Sequence, residues 1–232
     1  MRPLGHAWMA AAWLRARFQR HRDGGQTARL ELVRRHAPGR SFADIGCLYE
    51  AGGAIAFSAE AAGAQRVTAV DISAPTPAYE AEHARRDSRV RFVRGDLHAS
   101  ETLAQIGEHD VVWCSGVLYH VPHPLQTIEC LGSIAGELLI LGCQTIPEVP
   151  GVPQAAVFWP GLDAGRRAPY ARTWNRPDAL GITTPFRPQD GYANWFWGLT
   201  PSALRALVEC SGWRVQETLA LGHDRYVVAG RS

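Results

Sequence analysis

Three aspartates, three glycines and two histidines carry the chemistry that this sequence can be read for. Asp44, Asp71 and Asp96 each fall at or near the end of a short apolar run (Phe42–Ile45, Val67–Val70, Val90–Val93), and such runs read as buried strands. Gly46, Gly52 and Gly53 follow the first run and precede an alanine-rich helical stretch from Ala54, so the chain turns there from strand to helix. Glycines in such a loop let the backbone turn tightly or approach a ligand, and the first amides of the next helix suit an anionic group. A nucleotide-like ligand follows. A dinucleotide is disfavoured, because Gly46 is followed by Cys47-Leu48 and not by the G-x-G-x-x-G spacing. Asp71 lies 27 positions after Asp44. In a strand-loop-helix-strand unit an acid there stands beside the first loop and can accept both hydroxyls of a ribose. His120 and His123 follow the fourth apolar run and are candidate general bases, with Tyr192 and His223 more peripheral.

The elements that must position these residues alternate strand and helix. Strands are expected at the loop-forming run ending near Asp44, at Arg66–Asp71, Val90–Arg94, Asp110–Cys114 and Glu137–Gln144, with helices at about Thr27–His36, Ala54–Ala62, Tyr79–Arg86 and Pro124–Ile134. That order predicts a parallel sheet covered on both faces. Thr200-Pro201 reads as a cap and first residue of a later helix, and Trp213–Leu221 with Arg225–Ala229 as two terminal strands. Between them, from Pro147 to Gly198, eight prolines and nine aromatic residues replace the regular pattern. So long an irregular insertion reads as a binding segment, because exposed indoles are costly in a mere linker.

The loop string Asp44-Ile45-Gly46-Cys47-Leu48-Tyr49-Glu50-Ala51-Gly52-Gly53 resembles the first signature of class I S-adenosylmethionine-dependent methyltransferases, in an enlarged form of the Asp-x-Gly-Cys-Leu-Glu-Gly-Gly variant of one subgroup. Ser115-Gly116-Val117-Leu118-Tyr119-His120 followed by Pro124-Leu125 resembles the loop after strand four in such enzymes, including those acting on small metabolites and the tRNA wobble-uridine carboxymethyltransferases. The resemblance implies a Rossmann-like, seven-stranded, mostly parallel α/β sheet with an antiparallel last strand. It implies S-adenosylmethionine as cofactor (S-adenosylhomocysteine as product), with donor contacts at Asp44, Gly46, Cys47, Gly52, Gly53, Asp71, Ile72, Asp96, Leu97, Ser115, Gly116 and Tyr119. Asp96 takes the position that contacts the adenine amino group. Residues 1–38 are expected as an N-terminal helical lid, in which Trp8, Ala11, Ala12, Leu14 and Phe18 share one helix side, although packing on the sheet would serve the same pattern. Residues 39–232 form the methyltransferase domain, with 147–198 the inserted acceptor-binding segment.

Composition narrows the partners. With 46% hydrophobic residues in 232, the chain fills a proper core. A net charge of +2 is too small to argue for nucleic acid, although nine arginines crowd the first forty residues. A small-molecule acceptor is therefore expected, with two alternatives: a tRNA wobble-uridine modifying enzyme, and a donor-binding protein without turnover. Five scattered cysteines without C-x-x-C pairing signal neither disulfides nor zinc, His120 and His123 lack a third partner, and a reducing cytoplasm is expected. The apolar stretch 7–14 is too short to span a bilayer, which takes about 20 residues.

Overall fold

A computed structural model describes residues 22–48, 52–168, 185–221 and 224–231. The expected helix around Trp8–Phe18, the loop positions 49–51 and His223 lie outside the described residues. Strands β1 (Ser41–Ile45), β2 (Arg66–Asp71), β3 (Arg91–Arg94), β4 (His109–Ser115), β5 (Ala135–Gln144), β8 (Trp213–Leu221) and β9 (Asp224–Arg231) form one sheet. Its order is β3-β2-β1-β4-β5-β9-β8, and a separate two-stranded pair joins β6 (Ala156–Phe158) to β7 (Trp197–Leu199). The first five strands run parallel, and β9 enters antiparallel between β5 and β8. This is the Rossmann-like seven-stranded arrangement with an antiparallel last strand.

Burial follows strand position. Phe42 to Ile45 are buried without a break, as a central strand between two helix layers requires. Edge strand β8 alternates instead, with Trp213 buried and Arg214 exposed, because only one face is covered. Alternation within the central strands feeds two cores. Phe42, Val111, Trp113 and Ile140 face α1 (Arg22–His36), α2 (Ala54–Ala61) and α3 (Pro77–Arg85). Ala43, Val112, Leu139 and Leu141 face α4 (Ser100–Ile106), α5 (Pro124–Ile134) and α6 (Pro201–Cys210). Thr200 caps α6 as its sequence implies, accepting the Ala203 amide at 3.2 Å.

The described part of the N-terminal region is a packing layer. Leu32 and Val33 are buried, the Arg29 guanidinium lies over the Tyr226 ring and pairs with Asp224, and Arg35 pairs with Glu217. Arg34 and Arg40 pair with Glu31 and Glu137. Four arginines of the basic stretch thus meet acids of the same chain.

Candidate active site

Strand order reverses between β1 and β4, and in an open α/β sheet the carboxyl ends of such strands border the ligand crevice. The loop after β1 is built for close approach. Gly46 takes φ 77°, and its amide and that of Cys47 both donate to the Val70 carbonyl, at 2.9 and 3.2 Å. A Cβ at position 46 would stand 2.6 Å from Val117 Cγ2, so the loops after β1 and β4 touch through a missing side chain. Gly53, at φ 83°, is the N-cap of α2 without any side-chain cap, and its amide donates to the Cys47 carbonyl at 2.8 Å.

The three acids divide in function. Asp71 stands at the end of β2, where Oδ2 accepts the Leu48 amide at 3.0 Å and Oδ1 the Ser73 amide at 2.9 Å. It fixes the glycine loop while keeping lone pairs for a ligand. Beside it Ile72 is 49% exposed, an apolar surface at the crevice end of β2. Asp96 follows β3: Oδ1 accepts the His98 amide at 2.9 Å and Oδ2 the Tyr192 hydroxyl at 2.9 Å. Burial alone would raise its pKa, but the hydrogen bonds from His98 and Tyr192 outweigh that and hold it below the ordinary carboxylate value.

Asp44 departs from the expectation of a carboxylate facing the ligand. It is 2% exposed and lies inside β1 on the same face as Phe42, where Oδ2 accepts the Ala56 amide of α2 at 3.1 Å. Its role is to anchor that helix beneath the loop. Burial, followed by the neighbouring Asp71 charge, raises its pKa to about 7 against the Ala56 hydrogen bond. Cys47 and Leu97 are likewise buried, the first beneath the loop and the second in the core, so their side chains are supports and only their backbone can meet a donor. Burial pushes the Cys47 thiol up, which removes it as a nucleophile at neutral pH.

The Asp44 carboxyl also predicts a pH dependence. An unfolded aspartate releases its proton near pH 3.9 while the folded one keeps it to about 7. The folded chain therefore binds more protons in that window, and stability falls as pH rises through it, by up to about 1.4 kcal/mol per pH unit. Chemical denaturation between pH 4.5 and 7.5 should show a flatter profile for Asp44→Asn than for wild type; parallel profiles would contradict the assignment.

At the end of β4, the Ser115 and Tyr226 hydroxyls share a 2.8 Å hydrogen bond, and Gly142 makes room for the pair, since a Cβ there would lie 2.5 Å from both side chains. Ser115 is thus held by β9, a partner that the sequence did not disclose. Gly116 (φ 81°) turns the chain into a single 3-10 turn, Leu118–His120. The Tyr119 ring stacks on Trp195 at 4.1 Å, and His120 Nδ1 donates to the Asn194 carbonyl at 2.8 Å, leaving Nε2 as the lone-pair nitrogen. Burial lowers the His120 pKa, partly offset by that carbonyl, which favours the neutral ring. His123 differs from the expectation of a base beside the donor. It is exposed at the N-cap of α5, makes no side-chain cap bond, and contributes its carbonyl to Thr127.

The segment after β5 is less irregular than its composition suggests. Its ends meet, with the Ile146 amide donating to the Leu199 carbonyl at 2.9 Å, and β6 pairs antiparallel with β7. Three hydrogen bonds fasten it to the loop after β4: Phe196 amide to Tyr119 carbonyl at 2.7 Å, His120 to Asn194, and Trp197 Nε1 to the Pro122 carbonyl at 3.1 Å. The Asn194 side chain, buried, ties back to Arg187 and Gly191. Among the described residues no group of three His, Cys, Asp or Glu side chains is placed to hold a metal ion, and no helix is long and apolar enough to cross a membrane. All five cysteines are free.

Residues 43–132, which span β1 to α5, match the family described as "Methyltransferase domain". Among solved structures, the magnesium protoporphyrin IX methyltransferase ChlM of Synechocystis PCC 6803 with bound S-adenosylhomocysteine is 17% identical with TM-score 0.58, covering 98% of this chain and 96% of that one. The N-terminal domain of EvdMO1, determined in the presence of S-adenosylhomocysteine and D-fucose, is 16% identical with TM-score 0.58, over 91% and 84%. An O-methyltransferase family protein of Burkholderia thailandensis is 13% identical with TM-score 0.60, over 88% of this chain and 55% of that one. At these identities the structures are alike in fold. No curated protein matches the sequence. The family match takes in 90 of the 232 residues, and the sheet that carries it has the fold of the methyltransferase structures above.

Proposed function

We propose that the protein transfers the methyl group of S-adenosylmethionine to a small-molecule acceptor held under the segment between β5 and α6. The observation that carries this reading is the triple fastening of that aromatic segment to Tyr119, His120 and Pro122, at the crevice end of β4. Gly46, whose missing Cβ admits close approach, Asp71 with lone pairs to spare, exposed Ile72 and Asp96 are the residues that would hold the donor. When bound, the donor supplies a methyl group on a cationic sulfur, already an electrophile. The chain's own work is then orientation, worth roughly 7–11 kcal/mol when two reactants are aligned, and removal of a proton from the acceptor. The stacked Tyr119 and Trp195 exclude water, and His120 Nε2 takes the proton. Gly52 and Gly53, at the start of α2, support reading the loop as an enlarged member of the Asp-x-Gly-Cys-Leu-Glu-Gly-Gly subgroup. Free cysteines fit a cytoplasmic setting.

Incubation with labelled donor and a metabolite panel should yield a labelled small molecule; salt-sensitive labelling of tRNA would favour the wobble-uridine alternative, and donor binding without any transfer the non-catalytic one. With an acceptor in hand, His120→Gln should lower kcat about 10²- to 10⁴-fold while donor affinity stays within about threefold. His123→Ala should keep kcat within about threefold. Equal losses in both variants would remove His120 from the role.

A further inference from the structure

We infer that Tyr192 and His98 are positioning residues that couple donor binding to the placement of the acceptor segment, with Asp96 as their common partner. The inference rests on the methyltransferase reading above. His98, absent from the sequence expectations, joins three separate parts of the chain. Its Nδ1 lies 3.1 Å from Asp96 Oδ1 after β3 and 3.2 Å from the Tyr192 hydroxyl in the 3-10 turn Pro188–Ala193. Its Nε2 lies 2.9 Å from Oγ1 of Thr127, fully buried on α5. Tyr192 donates to Asp96 Oδ2, and burial together with that bond pushes its pKa up to about 12, so it remains a donor across the physiological range.

The location gives this cluster its consequence. Within six residues the chain touches Asp96 after β3 through Tyr192 and the loop after β4 through Asn194, Phe196 and Trp197. In the sheet order β3-β2-β1-β4 those contacts fall on opposite sides of β2 and β1, whose carboxyl ends carry Asp71 and Gly46. The stretch 192–197 is thus a strap anchored on both flanks of the donor crevice. A carboxylate has about four acceptor positions, so Asp96 can receive a donor's amino group while still holding Tyr192 and His98. Each bond then orients the carboxylate for the others. A donor that engages Asp96 tightens the strap, and a fastened strap presents Asp96 correctly.

The test is calorimetric titration with S-adenosylhomocysteine of wild type, Tyr192→Phe, Asp96→Asn and the double variant. Tyr192→Phe should weaken binding about five- to tenfold with a thermal midpoint near that of wild type, and in the Asp96→Asn background the same change should cost less than twofold. Hydrogen exchange without ligand should show faster exchange at the Asn194 and Phe196 amides in Tyr192→Phe and unchanged exchange in β4. If wild type binds and Tyr192→Phe stays within twofold, or loses equally in both backgrounds, the coupling is refuted while the methyltransferase reading stands. If wild type itself binds no donor, that reading falls and takes the coupling with it.

Discussion

Gly53→Ala is expected to destabilise the protein by roughly 2–5 kcal/mol. Two costs combine. At φ 83° an L-residue takes on about 1–2 kcal/mol of backbone strain. The new Cβ would also stand 2.6 Å from the Tyr79 ring and 2.8 Å from Phe57, an overpacking that typically costs about 1–3 kcal/mol. Phe57 and Phe92 pack on the Tyr79 ring, with centroids at 5.1 and 5.3 Å. Gly52→Ala is the matched control. It has φ 51° but no atom within 4 Å of a Cβ, so only the backbone cost applies. With about 2–4 °C of thermal midpoint per kcal/mol for a chain of this size, the two variants are separable in one melting experiment. Equal midpoints would mean that α2 does not start against Tyr79 as described.

Asp71→Ala should weaken the binding of S-adenosylmethionine at least about tenfold, or 1.4 kcal/mol. Hydrogen bonds to a charged group contribute about 1.5–3 kcal/mol each, and two ribose hydroxyls are proposed to use this carboxylate. The substitution also releases the Leu48 amide, held at 3.0 Å, and so loosens the glycine loop itself. Asp71→Asn retains one carbonyl oxygen and should fall between wild type and alanine. Equilibrium dialysis with labelled donor reads the series; unchanged affinity in Asp71→Ala would remove the ribose assignment.

How much of this was legible in the residues depended on whether the signal was local. All seven strands of the main sheet were readable, most within a residue or two, because central parallel strands appear as short unbroken apolar runs between turn residues. Pro124 at the start of α5 and Thr200 before α6 announced themselves by cap chemistry. The pairing of β6 with β7 was not readable, since three-residue strands separated by a long insertion have neither period nor a connecting turn. His98, Asn194 and Tyr226 were missed for a related reason. Each acquires its role from partners distant in sequence: Tyr192 and Thr127 for His98, His120 for Asn194, Ser115 for Tyr226. Asp44 shows how strand position bears on a side chain's surroundings. Two residues after Phe42 it shares that side chain's face, and a carboxylate on a buried face beside the coming helix is better placed to hold that helix than to meet a ligand.

We propose that the carboxyl ends of β1, β2 and β3 hold one adenosyl group beside the loop after β4. Isothermal titration of the wild-type protein with S-adenosylhomocysteine, at two temperatures so that an enthalpy near zero at one is exposed at the other, tests it most directly. Saturable heat with one site per chain is expected, while absence of saturable heat at both temperatures would rule out such a site.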